Sequence, residues 1–232
     1  MQLLEPAQMN IKEKYRVVPI TREYFKEWLL HKHYAKVIPN VMKAYGLVDN
    51  ENILQGVCCY GTPANNHNNA MGDFKQIELV RLVVNDGLEK NTLSYLVSQS
   101  LGMLSRPLSL ISYADQGKNH HGYIYQATNW IYTGLGGGVD YYRDKTGKNI
   151  HSRIMSDHRL KRPSETRAQI AESLGWEKIK GEYKHRYFYF LGSPKEKRVW
   201  LKTLLAKYKQ LPYPKGDNQR YDASYKIETK II

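Results

Sequence analysis

The chain has 232 residues, of which 41% are hydrophobic and 12% aromatic, and its formal net charge is +13 at pH 7. This hydrophobic content excludes a disordered chain, and the length allows one large domain or two small ones. No apolar run is long enough to span a bilayer, and the N-terminus lacks the charged-then-apolar pattern of a signal peptide. The two cysteines, Cys58 and Cys59, are adjacent in an apolar run, which is typical of core thiols in a reducing compartment. We therefore expect a cytoplasmic protein with no membrane partner.

The positive charge is concentrated in the C-terminal third of the chain. Residues 1–140 contain 13 Lys and Arg against 12 Asp and Glu, whereas residues 141–220 contain 20 against 8. Such a local excess of cations favours a polyanionic partner, with nucleic acid as the first expectation. The alternative is a solvated basic surface that serves solubility.

The first 134 residues alternate between strand-like and helix-like patterns. Residues 1–14 read as a loose leader. Amphipathic spacing predicts one helix after Thr21, to about residue 30, and another from Asn91 or Thr92 to about Ser105, with a helical turn near 123–128. The apolar runs that predict strands are 15–19, 42–48, 53–60, 74–84, 108–111 and 130–132.

The same alternation continues beyond a glycine-rich joint at 134–138. Two short runs, 139–142 and 150–155, predict a hairpin. A helix is expected from Pro163 to Leu174, because proline suits the first helical position and Gly175 suits the end. An aromatic strand at 183–191 precedes a final helix that Ser193 caps and that ends near Tyr208, and an extended tail covers 211–232. This order indicates an α/β (α+β) fold around one mixed, twisted sheet flanked by helices.

The segment Ser112–Gly134 concentrates reactive side chains at the end of a predicted strand. It contains Asp115, the adjacent His120 and His121, and four tyrosines. Ligands of open α/β sheets bind at the carboxyl ends of strands, so we expect this segment to line an active site. Each residue has a structural alternative: an exposed loop histidine for His120, a turn cap for Asp115, a core tyrosine for Tyr125 and a strand-end serine for Ser112.

Two stretches have distinctive motifs. One is Glu78–Leu104, with E-L-V-R-L-V-V-N-D and then K-N-T-L-S-Y; the other is Ser112–Gly134, with S-Y-A-D and then H-x-G-x-I-Y-Q-A-T-N-W-x-Y-x-G. Together they resemble the Mom family of phage DNA-modification proteins. His33-Tyr34, His185-Arg186-Tyr187 and Pro212-Tyr213-Pro214-Lys215 are also similar to that group. The resemblance implies a GNAT-like acyltransferase fold and conversion of adenine in double-stranded DNA to its N6-carbamoylmethyl form. This modification hides phage DNA from host restriction enzymes.

The resemblance also implies acetyl-CoA as the carbon donor, an iron requirement proposed for the family, and the cytoplasm of an infected or prophage-bearing bacterium as the location. The expected organisation is a leader at 1–14, a GNAT-like catalytic core at 15–134, a basic, DNA-contacting C-terminal extension of the same domain at 135–210, and a tail at 211–232.

A GNAT fold implies where acetyl-CoA would bind. Its long central strand, here Ile77–Val84, splays from its neighbour and holds the pantetheine arm, and the next helix presents backbone N–H groups to the pyrophosphate. GNAT enzymes usually carry a Gly-rich Q/R-x-x-G-x-G/A loop there, whereas this chain has Gly87-Leu88-Glu89-Lys90-Asn91-Thr92. The predicted cofactor-binding residues are Leu82, Val83, Val84, Lys90, Asn91, Thr92 and Ser94.

The implied reaction differs from ordinary acyl transfer. The product is attached through the methyl carbon, so a C–H bond must be activated and an amide made, and a redox metal suits such chemistry. Imidazole and carboxylate suit iron, and the position of His121 directly before Gly122 favours it over His120 as a ligand. Arg81 could form a buried ion pair with Glu78 or act in catalysis. The predicted metal ligands are His33, Asp115 and His121, and the predicted catalytic residues are His33, Tyr34, Ser112, Asp115 and Tyr125.

Contact with DNA is expected from the basic C-terminal third. Binding through phosphates should weaken steeply with salt, and adenine N6 should become accessible by base flipping. Two alternatives stay open: a conventional GNAT N-acetyltransferase acting on a protein or small molecule, and a non-catalytic DNA-binding protein. The predicted phosphate contacts are Arg143, Lys145, Lys148, Arg153, Arg159, Lys161, Arg162 and Arg167, and the candidates for stacking on the base are Tyr123, Trp130, Tyr141 and Tyr142.

Overall fold

The computed structural model describes residues 10–63, 75–136, 141–151, 158, 161–217, 224 and 227–231. Its strands are β1 (Tyr15–Pro19), β2 (Val41–Asp49), β3 (Leu54–Gly61), β4 (Gln76–Val84), β5 (Leu108–Asp115), β6 (Ile131–Gly136), β7 (Tyr141–Arg143), β8 (Asn149–His151), β9 (Glu177–Ile179) and β10 (Lys184–Leu191). The α-helices are α1 (Ile11–Lys14), α2 (Arg22–Glu27), α3 (Thr92–Gly102), α4 (Tyr123–Ala127), α5 (Arg167–Leu174) and α6 (Pro194–Lys207).

Seven strands within the described residues form one mixed sheet in the order β1-β2-β3-β4-β5-β10-β6. All neighbours are antiparallel except β4 and β5, which are parallel. The predicted α/β fold with a central mixed sheet is therefore confirmed. The strand β10, which comes from the basic part of the chain, lies between β5 and β6, so this part of the chain contributes to the same sheet.

Helices cover both faces of the sheet. On one face, α3 and α4 bury Leu96, Val97 and Tyr125 against β4 and β5. This is the face that the helical spacing of the α3 sequence predicts as core. On the opposite face, α2 and the π-helical turn that continues it (Trp28–Lys32) pack on β2, β3 and β4, and α6 packs on β5 and β10 through Trp200.

A smaller sheet with the strand order β8-β7-β9 carries α5 on one side. Tyr142, Ile170 and Ala171 form its separate core. Thr166 caps α5 through its side chain, so the helix begins at Arg167 rather than at Pro163 as the sequence suggested. The left-handed backbone of Gly175, with φ of 66°, ends it as expected.

Hydrogen bonds hold the segments that precede and follow the main sheet against the rest of the structure. At the N-terminal side, the Lys14 ammonium and the Tyr15 hydroxyl donate to the Glu89 carboxylate at 2.5 and 2.7 Å. At the C-terminal side, residues 211–216 run along α4 and β6, and we call them the tail strap. Its first contact is the Leu211 N–H, which donates to the Tyr132 carbonyl at 3.0 Å.

In the described part of the chain, every helix is too short or too polar to cross a membrane.

Candidate active site

A gap opens in the main sheet where β4 and β5 diverge. The two strands pair only over Gln76–Glu78 and Ser109–Ile111, although β4 continues to Val84 and β5 to Asp115. A register shift between β3 and β4 at the same level adds a β-bulge, which bends β4. The divergence opens a cavity of about 620 Å³, a size typical of ligand sites. The splay that the family resemblance implied is therefore present.

The cavity has one wall on each face of the sheet. The start of α3 and the segment 122–125 line it from the face that carries Leu96 and Val97. His33 and Tyr34, at the end of the π-helical turn, line it from the opposite face. Lys184 and Arg186 of β10 complete the lining on the far side of β5. A ligand in the gap therefore reaches groups from both layers of helices.

All seven predicted cofactor-binding residues line this cavity. Gly87 and Asn91 adopt left-handed backbone, with φ of 80° and 73°, and turn the chain from β4 into α3. The side chain of Glu89 is directed towards Lys14 and Tyr15, whose hydrogen bonds lower its carboxyl pKa to about 2. The carboxylate is therefore paired with a cation near the start of α3. Lys90, the next residue, remains in the cavity lining.

His33 is a buried, neutral imidazole. Its burial, and to a smaller extent the positive charges of Arg81 and His120, lower its pKa to about 3. Its Nδ1 accepts a hydrogen bond from the Ala35 N–H at 3.1 Å. The single proton of the neutral ring therefore sits on Nε2, which makes that atom a hydrogen-bond donor. His33 can donate to a bound group near neutral pH but cannot accept a proton at Nε2.

Tyr34 and His120 extend this cluster along the cavity. The Tyr34 ring stacks on His33 with centroids 4.5 Å apart and meets the His120 ring edge-on at 5.6 Å. Burial, followed by the negative charge of Asp115, raises the pKa of the Tyr34 hydroxyl to about 12. The hydroxyl therefore stays protonated near neutral pH and is able to donate a hydrogen bond.

Asp115 makes two kinds of contact at the end of β5. Its Oδ1 accepts from the Gly117 N–H at 3.1 Å and so caps the short 3₁₀ helix Gln116–Lys118. Its Oδ2 lies 3.9 Å from the Lys184 ammonium. The capping role considered from the sequence is thus present, and the same carboxylate also lines the cavity.

Ser112 and Tyr125 form a buried pair across the gap. The Ser112 hydroxyl donates to the Leu79 carbonyl of β4 at 2.8 Å, and its oxygen lies 2.7 Å from the Tyr125 hydroxyl. Tyr125 lines the cavity, whereas Ser112 is not one of the lining residues. Burial raises the pKa of the Tyr125 hydroxyl well above its usual value, so the tyrosine remains protonated.

The structure places His120, not His121, in the cavity lining, the reverse of the preference drawn from the position of His121 beside Gly122. The histidine of the H-x-G motif is His120, so the motif itself indicates the residue that lines the cavity. Asn119 and Gly122 both adopt left-handed backbone, with φ of 51° and 72°. The His121 ring packs instead near His185, at a centroid distance of 5.6 Å.

The residues present do not fit the iron site that the resemblance implied. His33 uses Nδ1 as an acceptor and carries its proton on Nε2, and the His121 ring lies outside the cavity. Across the described ranges, no group of three or more His, Cys, Asp or Glu side chains is arranged to hold a metal ion. His33 and Asp115 both line the cavity, but His121, the third proposed ligand, is not brought together with them.

Two arginines in the cavity lining are fixed by neighbouring groups. Arg81 donates to the carbonyls of Val37 and Val80 at 3.3 and 2.7 Å, and burial lowers its pKa. Among the described residues it forms no salt bridge, and Glu78 acts on it as a nearby charge that opposes the lowering of its pKa. Arg186 donates to Thr133 and lies 3.8 Å above the Tyr208 ring.

Sequence reasoning missed several lining residues, although one signal pointed to some of them. Arg186 falls in a triplet that resembles the family, and Tyr113 alternates with Ser112 along β5. The position of β10 in the sequence did not show that this strand borders the gap between β4 and β5. The lining residues outside the predicted set include Glu78, Tyr113, His120, Lys184 and Arg186.

The predicted DNA contacts lie mainly on the smaller sheet. Arg143, Lys145 and Lys148 are exposed around the turn between β7 and β8. Lys161, Arg162 and Arg167 are exposed before and at the start of α5, whereas Arg153 and Arg159 lie outside the described residues. Among the proposed stacking residues, Trp130 and Tyr142 are buried core residues. Tyr123 lines the cavity, and Tyr141 is half-buried.

Comparisons with known proteins agree with the family resemblance. The model of the Mom protein family matches residues 14–215. Two crystal structures of the spermidine/spermine N-acetyltransferase SpeG from Vibrio cholerae, one with manganese ions and one of mutant forms, are similar to this structure, with TM-scores of 0.44 and 0.43. Each is 9% identical to this chain in sequence. The matches cover 78% and 76% of this chain and 95% of each SpeG chain. Likeness at this level transfers no property to this chain. No curated protein sequence matches it. Because the family match covers most of the chain, the protein belongs to the Mom protein family.

Proposed function

We propose that the protein is a phage-type, acyltransferase-like enzyme that modifies adenine in double-stranded DNA. Acetyl-CoA is the carbon donor, N6-carbamoylmethyladenine is the product, and phage DNA is thereby protected from host restriction. One observation carries the proposal: a single cavity is lined by all seven predicted cofactor residues and by His33, Tyr34, Asp115 and Tyr125. The family match over residues 14–215 supports the choice of DNA as substrate.

The donor would occupy the part of the cavity next to α3. The edge of β4 beyond Glu78 is not paired with β5, so its backbone is available to the amide groups of a pantetheine arm. The N-terminus of α3 and the Lys90 ammonium would attract the pyrophosphate. Tyr125, held beside Ser112, would then face the thioester end of the arm.

The acceptor would enter from the face that carries His33 and Tyr34. Each of these side chains can donate a hydrogen bond near neutral pH. The neutral His33 ring donates through its Nε2–H, and the Tyr34 hydroxyl keeps its proton because its pKa is raised. The Asp115 carboxylate can accept a hydrogen bond from the exocyclic amine of adenine. Basic residues around the β7–β8 turn and α5 would hold the phosphates while the base is extruded.

The overall reaction requires more than acetyl-CoA and adenine. Joining N6 to the methyl carbon removes one hydrogen from each atom, so this step needs a two-electron oxidant besides acetyl-CoA, and the amide needs an ammonia-level nitrogen donor that displaces the CoA thiol. The described side chains would supply binding, orientation and proton transfer for these steps. Ordinary acetylation of N6 would need neither the oxidant nor the nitrogen donor.

Mass spectrometry of nucleosides tests this function. Plasmid DNA from cells that express the protein should contain a deoxyadenosine heavier by a carbamoylmethyl group. Cells with equal amounts of soluble Asp115→Asn protein should lack it. A gain equal to acetyl alone would indicate a conventional acyltransferase that acts on DNA. Unmodified DNA, with soluble protein confirmed, would contradict the proposal and favour an acyltransferase with another acceptor or a DNA-binding protein.

A further inference from the structure

The outer surface of α6 carries a row of exposed cations. The helix contains five Lys or Arg side chains, and Glu196, its one acidic residue, is used in the capping box with Ser193. Lys195, Arg198 and Lys202 are all exposed and make no ion pair with any other described residue. At 100° per residue, these three positions fall within about 60° of one another around the helix axis.

This row points directly away from the sheet. Trp200 and Leu204 anchor α6 to Phe188 and Phe190 of β10 and are almost fully buried. Helical geometry puts these two anchors on the side of α6 opposite to Lys195, Arg198 and Lys202. The stabilising contacts of the helix are therefore separate from its charged surface. Removal of the charges should leave the packing intact.

The row also lies beside the acceptor side of the cavity. Tyr208, the C-cap of α6, stacks under the Arg186 guanidinium at 3.8 Å, and Arg186 lines the cavity. Tyr113, another lining residue, packs in the same cluster as Trp200. From Tyr208 back to Lys202 the helix spans roughly 9 Å, and from Lys202 to Lys195 about 10 Å more. A duplex whose base enters the cavity would pass over this surface.

We propose that the row formed by Lys195, Arg198 and Lys202 is a second DNA-docking surface that binds the phosphates of one strand. It is distinct from the smaller sheet that carries Arg143, Lys145 and Lys148. Its length of about 10 Å matches about three phosphates of one strand at 3.4 Å of rise each. The inference rests on the proposed function, because it requires DNA as the substrate.

Duplex DNA binding at a series of salt concentrations tests this surface. The variant Lys195→Gln/Arg198→Gln/Lys202→Gln is compared with Lys12→Gln/Arg22→Gln/Lys43→Gln, which removes the same charges from exposed positions near the β1–β2 end of the sheet. We expect the α6 variant to bind tenfold or more weakly at low salt. The slope of log Kd against log salt should fall by about 0.9 for each lost contact. The control variant should change both quantities by much less.

Turnover separates docking from catalysis. With acetyl-CoA, the oxidant and the nitrogen donor all in constant excess, the α6 variant should raise the KM for DNA while kcat stays within about twofold of wild type, because its side chains do not reach the reacting atoms. Equal affinity and equal salt slope in the two triple variants, with wild-type binding intact, would overturn this inference and leave the proposed function standing. Failure of the wild-type protein to bind duplex DNA would instead overturn the proposed function.

Discussion

The Ser112 and Tyr125 side chains place two hydroxyl oxygens 2.7 Å apart at the point where β4 and β5 separate. Ser112 also donates to the Leu79 carbonyl, so one serine connects β5, the edge of β4 and the start of α4. The pair therefore fixes the width of the gap and the position of the Tyr125 hydroxyl in it.

Replacement Ser112→Ala should lower both stability and modification. It leaves the buried Leu79 carbonyl and the Tyr125 hydroxyl without this partner, at a cost of about 1–3 kcal/mol. Modified deoxyadenosine in plasmid DNA should fall at least tenfold at equal soluble protein. Ser109→Ala is the matched control, because Ser109 is an equally buried serine of β5 whose hydroxyl contacts Gln76 instead of Tyr125. Equal activity in the two variants would contradict the role given to Ser112.

His33 should make stability depend on pH in mildly acidic solution. Because its folded pKa is about 3 and its ordinary value 6.5, the unfolded chain binds the proton more readily, and stability is lost as pH falls from 6.5 towards 3. The contribution between about pH 7 and about pH 5 is roughly 2 kcal/mol. Urea unfolding of wild type and of His33→Asn, which keeps an acceptor for the Ala35 N–H, should show this difference. Identical pH dependence in both proteins would argue against a neutral, buried His33.

Two substitutions at Asp115 distinguish chemistry from capping. Asp115→Asn keeps an oxygen for the Gly117 N–H but removes the charge that faces Lys184. We expect it to fold normally, bind DNA with nearly unchanged affinity and lose modification. Asp115→Ala should lose modification too and be less stable by about 1 kcal/mol, since a cap is removed. Full activity of the Asn variant, measured by nucleoside mass spectrometry, would reduce Asp115 to a capping residue.

The tail strap should be necessary for activity. A Cβ on Gly216 would lie 2.5 Å from Nε2 of His121, so Gly216→Ala must displace the His121 ring. The displacement should reach the neighbouring cavity residues and reduce modification several-fold, with a loss of about 1–3 kcal/mol in stability. Thermal unfolding and nucleoside analysis measure the two effects. Gly102→Ala, at a position with open space around it, should leave modification unchanged. An equally unaffected Gly216→Ala would show that the strap does not position this loop.

Local sequence signals predicted most elements of the fold. The strand Tyr15–Pro19, the start of α3 after Asn91 and the Ser193 cap of α6 are confirmed, because each depends on a few neighbouring residues. The π-helical continuation of α2 was not predicted, because its spacing differs from the ordinary helical period. The place of β10 between β5 and β6 could not be read from the chain, since strand order depends on long-range pairing.

The candidate site was predicted only in part for the same reason. The seven residues predicted to bind the cofactor follow from one strand and the next helix, and all seven line the cavity. The choice between His120 and His121 depends on left-handed backbone at Asn119 and on Gly216, which packs against His121 from far along the chain. Neither condition is visible in the two adjacent histidines themselves, although the H-x-G motif begins at His120. The roles of the site residues and of the basic surface stay predictions.

The position of β10 has a consequence for how the protein is made. Along β5, pairing with β4 covers three positions, whereas pairing with β10 covers eight, from Leu108 opposite Leu191 to Asp115 opposite Lys184. A ribosome that has synthesised β1 to β6 has therefore not yet produced the strand that joins β5 to β6. Until it does, the nascent chain exposes open strand edges that can pair with other chains. The sheet can be completed only after residues 184–191 have left the ribosome.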